Sequence, residues 1–317
     1  MVTLAELEAA QKLVYQVMQP TPQTQYPLLA KRVGCTVAVK HENHTPLGAF
    51  KVRGGLVYMD WLKRTQPHVS GIVTATRGNH GQSVAFAATR AGLTAKIFVP
   101  HGNSTEKNAA MRALGATLVE AGDDFQAARE LAVKCAADEG LHSIPSFHHL
   151  LVQGVGTYAL ELFRAYSDLD AVYAPIGMGS GICGLISARN ALGLKTEVIG
   201  VVSANAPAYA LSFAAGKPVE TATANTFADG VATRKPDPEA CDMICRGAAR
   251  IVQVSDDEVK CAMRAYYTDT HNLAEGAGAV SLAGLLQERE RQRGKKVAVV
   301  LSGANIDLDM YREIIGG

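Results

Sequence analysis

Seven short runs rich in β-branched residues, Thr36–Lys40, Ile72–Thr74, Lys96–Val99, Thr117–Glu120, Val172–Ala174, Glu197–Val202 and Lys296–Leu301, alternate along the chain with helical patterns rich in Ala, Leu, Glu and Arg. Alternation of that kind builds βαβ units. The runs are apolar along most of their length rather than at every second residue, as strands are when helices cover both faces of a parallel sheet. The expected class is α/β, with parallel-rich sheets flanked by helices. No segment repeats at a fixed period and none is low in complexity, which sets aside solenoids and propellers. At 317 residues the chain has room for about two domains. The block 67–146 reads as a self-contained run of strands and helices, and the flanking segments supply strands for a second sheet. A small domain, 67–146, inserted into a large one made of 1–66 and 147–317, is therefore expected. The cleft between them is the natural ligand site, because parallel sheets bind at the carboxyl ends of their strands.

Charge and composition exclude several functions. Lys plus Arg total 31 against 30 Asp plus Glu, a net charge of +1 that leaves no electrostatic footprint for nucleic acid or an anionic membrane. Apolar runs such as Val297–Leu301 fall far short of a bilayer span. The first residues carry two Glu in a helical pattern rather than a basic start and an apolar block, so a cytoplasmic location is expected. The cysteines at 35, 135, 183, 241, 245 and 261 form no CxxC pair and no zinc spacing, and read as reduced structural thiols.

Four motifs have chemical content. In Pro46-Leu47-Gly48-Ala49-Phe50-Lys51-Val52-Arg53-Gly54-Gly55 a loop passes into a helix whose first turn holds Lys51. The macrodipole disfavours a cation there. A Schiff-base lysine, which reacts as the neutral amine, gives that position a reason; a solvated surface lysine is the bland alternative. Thr74-Ala75-Thr76-Arg77-Gly78-Asn79-His80-Gly81-Gln82-Ser83 follows a strand and opens a helix, either as an anion site suited to a carboxylate or as a capped turn. Pro175-Ile176-Gly177-Met178-Gly179-Ser180-Gly181-Ile182-Cys183-Gly184 is again strand, glycine loop and helix. It matches a dinucleotide fingerprint, but no acid stands near Val201, Val202 and Ser203 where a ribose would need one, so a lone phosphate suits it better than NAD. Leu301-Ser302-Gly303-Ala304-Asn305 ends the last strand and by itself says little.

Taken in order, the four motifs resemble the pyridoxal-phosphate enzymes of the threonine dehydratase and serine racemase family, which have the tryptophan synthase β-like fold (fold type II), and the resemblance covers nearly the whole chain. It implies that Lys51 holds pyridoxal 5'-phosphate and acts as base on the substrate α-carbon, with Phe50 beside the ring. It implies that Asn79 meets the cofactor's 3-hydroxyl, that the backbone of Gly177, Met178, Gly179, Ser180 and Gly181 cradles its phosphate, and that Ser302 faces the pyridine nitrogen. A Ser there cannot hold a full pyridinium charge, which favours β-elimination over transamination. Thr76, Arg77, Gly78, Asn79 and His80 match the loop that grips the substrate carboxylate. Glu275 matches a carboxylate lining the site, in a motif where the family usually has Pro in place of Gly276. A homodimer is also implied.

Three departures shape the expected activity. Ala49 replaces the family's usual Ser, and Arg77 stands where Ser or Ala is common. An arginine stays protonated and makes a poor second base, so racemisation is disfavoured; it could instead pair with a distal carboxylate, as in 3-hydroxyaspartate, or simply face solvent. Val202 and Ala208 occupy the positions where related enzymes place metal-binding carboxylates, and neither supplies a side-chain oxygen, so no metal is expected there. The chain stops at Gly317 shortly after Ser302, so no C-terminal regulatory domain is expected. The function implied is a β-eliminating ammonia-lyase that converts a small β-hydroxy amino acid, by default threonine or serine, to a 2-oxo acid and ammonia. The alternatives are a 3-hydroxyaspartate or 3-arylserine dehydratase, an amino-acid racemase, and a non-catalytic module that binds the cofactor or an amino acid.

Overall fold

In the computed structural model, which describes residues 1–317, the strands are β1 (Gln23–Gln25), β2 (Thr36–His41), β3 (Gly71–Ala75), β4 (Thr94–Val99), β5 (Thr117–Glu120), β6 (His142–Ser143), β7 (Ala171–Pro175), β8 (Glu197–Ser203), β9 (Arg250–Val254) and β10 (Lys296–Leu301). They form a six-stranded sheet in the order β1-β2-β10-β7-β8-β9 and a four-stranded sheet in the order β5-β4-β3-β6. Every pairing is parallel except β1 with β2. The near-continuous burial of β2, β3, β7, β8 and β10 follows from helices lying on both faces. The expected α/β class, with parallel-rich sheets flanked by helices, is that of the structure. No helix is long and apolar enough to cross a membrane.

Three strands were not anticipated. β1 is three polar residues on an edge and β6 is two residues long, too short for any period to show. β9 contains Ile251, Val252 and Val254, but it follows directly on the helix Pro238–Gly247 and runs into the cap of Asp256–Thr270, so its signal merges with helical patterns.

The small sheet falls inside 71–143, yet its core reaches further along the chain. Ala10, Val14 and Met18, then Val52, Leu56 and Leu62 of the helix Lys51–Thr65, and Leu150 and Leu151 share one buried cluster with Ile72, Ile97 and Val99. The packing unit around this sheet therefore exceeds 67–146. The opposite face is covered by the helix Phe125–Glu139 through Ala128 and Ala132.

A fully buried ion cluster anchors the helix that begins at Lys51. The Arg53 guanidinium donates to both Glu42 oxygens at 2.8 and 3.0 Å and to both Glu161 oxygens at 2.6 and 3.0 Å, and Lys40 Nζ meets Glu161 at 2.5 Å. Its two cations and two carboxylates balance. Removing one member would strand a buried charge at a cost of about 3–5 kcal/mol.

Candidate active site

The carboxyl ends of β3, β7 and β10 open on one cavity of about 600 Å³ between the two sheets, lined by Phe50, Lys51, the loop 75–80, the loop 177–181, Glu275 and Ser302 among others. The four motifs converge there. Two are joined directly: Phe50 N–H donates to the Ser302 carbonyl at 3.1 Å, and Ala49 bridges Gly303. The Ala49 backbone is satisfied at both ends by Thr45 Oγ1, at 3.0 and 2.8 Å, with its methyl group buried.

Lys51 is the first residue of its helix, as expected. Its Nζ lies 3.1 Å from Ser180 Oγ and 5.0 Å from the centre of the Phe50 ring, with no carboxylate paired to it. Burial pulls its pKa down to about 8. A lysine so placed carries an appreciable fraction of neutral, nucleophilic amine near neutral pH.

Two helix N-termini face the cavity with glycine as N-cap residue, so that neither N-cap supplies a capping side chain. The helix Ser180–Ala191 starts at Gly179, whose φ is +102°, and the helix Asn79–Arg90 starts at Gly78. Uncapped N–H groups at the positive end of a macrodipole are anion sites. The first is narrow by construction: a Cβ on Gly177 would stand 2.1 Å from the Gly230 carbonyl oxygen. The loop is braced from behind by Tyr209, which donates to the Met178 carbonyl, and Tyr158, which donates to that of Gly181, each at 3.0 Å. At the second, Thr76 Oγ1 accepts from the N–H groups of Gly78 and Gly81 at 3.0 and 3.2 Å, so this hydroxyl shapes the loop from beneath.

The polar side chains of the site form a chain of contacts. Asn305 donates to Asn79 Oδ1 at 2.8 Å, and Asn79 donates to Glu275 Oε1 at 2.6 Å. Glu275 Oε2 lies 3.2 Å from Lys107 Nζ, which meets Asp229 at 2.6 Å. Lys107 is almost fully buried and lies along Gly78, where a Cβ would stand 2.5 Å from its Cδ. Burial works against the Lys107 charge, but Glu275 and Asp229 together hold its pKa above the ordinary lysine value. Glu275, the more deeply buried carboxyl, is pushed up by burial and by Asp229 against the pull of Lys107. His80 is held neutral: burial, with Lys51 adding to it, lowers it to about 3, and its Nε2 has no partner. Ser302 is buried, with its hydroxyl 3.4 Å from the Ala277 carbonyl. Arg77 lines the cavity, exposed and without a protein partner.

Every residue given a catalytic, cofactor or substrate role from the sequence thus lines this cavity. Lys107 and Asp229 are additions. Ser104-Thr105-Glu106 before Lys107 reads as an ordinary helix cap, and nothing local distinguishes Lys107 from a surface lysine. Val202 and Ala208 are buried apolar residues of β8 and the helix Ala208–Ala215.

These features fit pyridoxal phosphate: a glycine cradle with no room for a side chain, an uncapped helix end for a phosphate, and a half-buried amine without a carboxylate partner beside it. The chain matches the family model described as pyridoxal-phosphate dependent enzyme over residues 14–303. It is 32% identical over 304 residues to the biosynthetic L-threonine dehydratase of Salmonella typhimurium, covering 95% of this chain and 59% of that protein. The chain therefore spans about three fifths of the length of that relative. It is 32% identical over 316 residues to the L-threonine ammonia-lyase of Thermotoga maritima, covering 99% and 78%. Among solved structures, the processed form of threonine deaminase isoform 2 from Solanum lycopersicum superposes with a TM-score of 0.92 at 30% identity, covering 99% of this chain and 91% of that one.

Proposed function

Because the chain belongs to the family of pyridoxal-phosphate dependent enzymes, we propose that it is a β-eliminating ammonia-lyase that converts a β-hydroxy amino acid, by default threonine or serine, to a 2-oxo acid and ammonia. The observation that carries the reading is Lys51: a half-buried amine with no carboxylate partner, lowered to about 8 and set between two glycine-started helix ends that suit a phosphate and a carboxylate. The names of the Salmonella, Thermotoga and tomato proteins support the same reaction class.

Bound at Lys51 with its phosphate against residues 177–181, the cofactor supplies an electron sink that acidifies the substrate α-proton. The chain does the rest. The free N–H groups of Asn79 and His80 receive the α-carboxylate. Asn79, gripped by Asn305 and Glu275, presents its amide in one orientation. The neutral Lys51 amine takes the α-proton, and Ser180 Oγ at 3.1 Å gives that proton a hydrogen-bonded route back to the leaving β-hydroxyl, which departs as water. The released enamine then hydrolyses to the 2-oxo acid and ammonia. Ser302, a neutral hydroxyl, leaves the electron sink weaker than a carboxylate would, which favours early loss of the β-group.

A cytoplasmic location and a homodimeric state belong to the same reading; the six unpaired thiols suit a reducing compartment, and light scattering on the purified protein tests the dimer. The activity test is 2-oxo acid release from L-threonine and L-serine by the cofactor-loaded protein. Ketoacid and ammonia should appear in equal amounts, and Lys51→Ala should abolish both. Interconversion of L- and D-serine without ketoacid would overturn the reading in favour of a racemase.

A further inference from the structure

Two of the six thiols form a pair that their spacing in the sequence does not announce. Cys241 and Cys245 stand four residues apart on the helix Pro238–Gly247, and one helical turn brings them to the same face, with their sulfurs 3.9 Å apart. Neither lines the cavity. Cys241 is buried, whereas Cys245 is partly exposed, its thiol 3.8 Å from the Ser212 carbonyl. Burial, with Cys245 adding to it, pushes the Cys241 thiol up to about 11 and also shields it from solvent, so an oxidant meets Cys245 first.

The helix that carries this pair backs the loop 177–181. The residue before each cysteine touches Gly179: a Cβ there would stand 2.8 Å from the Ala240 Cβ and 3.6 Å from the Ile244 Cδ1. At the helix start, the Asp237 N–H donates to the Tyr209 hydroxyl at 3.1 Å, the same hydroxyl that braces the Met178 carbonyl. At its end, the Gly247 carbonyl accepts from Arg189, on the helix Ser180–Ala191, at 3.0 Å. Any change in the shape of this helix is therefore passed to the loop. A disulfide would impose one. It needs its Cβ atoms within about 4 Å of each other, while residues four apart on a regular helix hold theirs about 5–6 Å apart. Closing the bond draws them together by about 1–2 Å, which distorts the turn between the cysteines, where Ile244 faces Gly179.

We propose that Cys241 and Cys245 form a redox modification site: a hydroperoxide oxidises the pair to a disulfide, and the distorted helix loosens the loop 177–181 and weakens its hold on the cofactor phosphate. This rests on the phosphate seat at 177–181 and is independent of the substrate. The Cys245 sulfur attacks the peroxide, so that an S–O bond forms as the O–O bond breaks, and the hydroxide released takes the Cys245 proton and leaves as water. The Cys241 sulfur then displaces the oxygen: the S–S bond forms, the S–O bond breaks, and the Cys241 proton leaves in a second water. The thiol pair gives up two electrons and one peroxide is reduced. A dithiol reductant reverses the change.

The test treats reduced, cofactor-loaded protein with graded hydrogen peroxide and reads two signals. Mass spectrometry after alkylation follows the tryptic peptide Lys235–Arg246, which carries both cysteines. Absorbance on serial dilution gives the dissociation constant of pyridoxal phosphate. Wild type should yield a peptide that resists alkylation and is lighter by two hydrogens. Its dissociation constant should rise about 10- to 100-fold, the loss of one hydrogen bond to a charged group. Dithiothreitol should reverse both changes. Cys245→Ser and Cys241→Ala have no second thiol to close the bond, and should hold the cofactor like untreated wild type before and after peroxide. A peptide that still takes two alkyl groups at doses that oxidise the exposed Cys261 overturns the proposal. So does a disulfide that leaves the affinity unchanged, or an affinity loss that persists in both variants. The peptide mass reports the thiol pair whether or not the loop holds the phosphate, so the two failures are told apart.

Discussion

If burial sets the reactivity of Lys51, its titration should be measurably displaced in cofactor-stripped protein. The displacement from 10.5 to about 8 raises the neutral-amine fraction at pH 7.5 from about one in a thousand to about one in four, a gain of roughly two-hundredfold. The same displacement sets a stability change with a definite sign. Below pH 8 folded and unfolded chains both carry the proton, and the folded chain bears the cost of a buried charge. Between pH 8 and 10.5 only the unfolded chain binds it, so stability rises with pH, by at most about 3 kcal/mol. Ser180→Asp places a carboxylate near an Nζ that now lies 3.1 Å from the hydroxyl, which should move the pKa back up by about 1–3 units. Trace acetic anhydride labelling across pH, read by mass spectrometry of the Lys51 peptide, measures the titration, with the exposed Lys63 as internal reference. Urea denaturation at pH 8 and 10.5 measures the stability. A wild-type Lys51 that titrates near 10.5, or a Ser180→Asp variant that titrates like wild type, would refute the reasoning.

Three further perturbations act on other parts of the site. Lys107→Met removes the cation shared by Asp229 and the buried Glu275, and should cost about 3–5 kcal/mol at pH 7 in urea denaturation. The loss should shrink as pH falls and Glu275, already pushed up by burial, takes a proton. Gly177→Ala puts a methyl group where the Gly230 carbonyl stands 2.1 Å away, and should weaken pyridoxal phosphate binding at least about tenfold in an absorbance titration; unchanged affinity would show that this loop does not hold the phosphate. Arg53→Met leaves Glu42 and Glu161 without their shared partner and should lower stability by about 3–5 kcal/mol.

What could be read from the sequence divides by the range of the interaction behind it. The parallel class was legible because burial on both faces leaves continuous apolar runs, as in Lys296–Leu301, where the expected and observed strands coincide. Lys51, the loop 76–80 and the loop 177–181 were legible because each couples a glycine-rich backbone to a helix start within a few residues. Lys107 was not, since its meaning comes from Asp229 and Glu275, 122 and 168 residues away. Nor was the ion cluster around Arg53, which gathers Lys40 and Glu42 from one segment and Glu161 from another more than 100 residues away. The extent of the small packing unit escaped for the same reason: Ala10, Val52 and Leu151 join it by tertiary contact, and no compositional break marks them.

Lys107 also ties the assembly of the site to the docking of the two sheets. It lies on the helix Thr105–Ala113, packed beside the small sheet, and its partners Asp229 and Glu275 flank the large one. The same helix start makes two more contacts across the divide: Ser104 with Asp307, and the Glu106 carboxylate with the Leu308 N–H at 2.8 Å. Lys107 rests on Gly78, in the loop proposed to receive the substrate carboxylate, while Asp229 adjoins Gly230, whose carbonyl closes the wall behind Gly177. One lysine thus spans the loop 78–80 of one sheet and the backing of the loop 177–181 of the other. Parting the sheets would separate Lys107 from both carboxylates and Asn79 from both Glu275 and Asn305. The burial that lowers the Lys51 pKa and the hydrogen bonds that fix Asn79 therefore arise from one packed arrangement, and a substrate that bridges the loop 78–80 and the large sheet would stabilise that arrangement by its own binding.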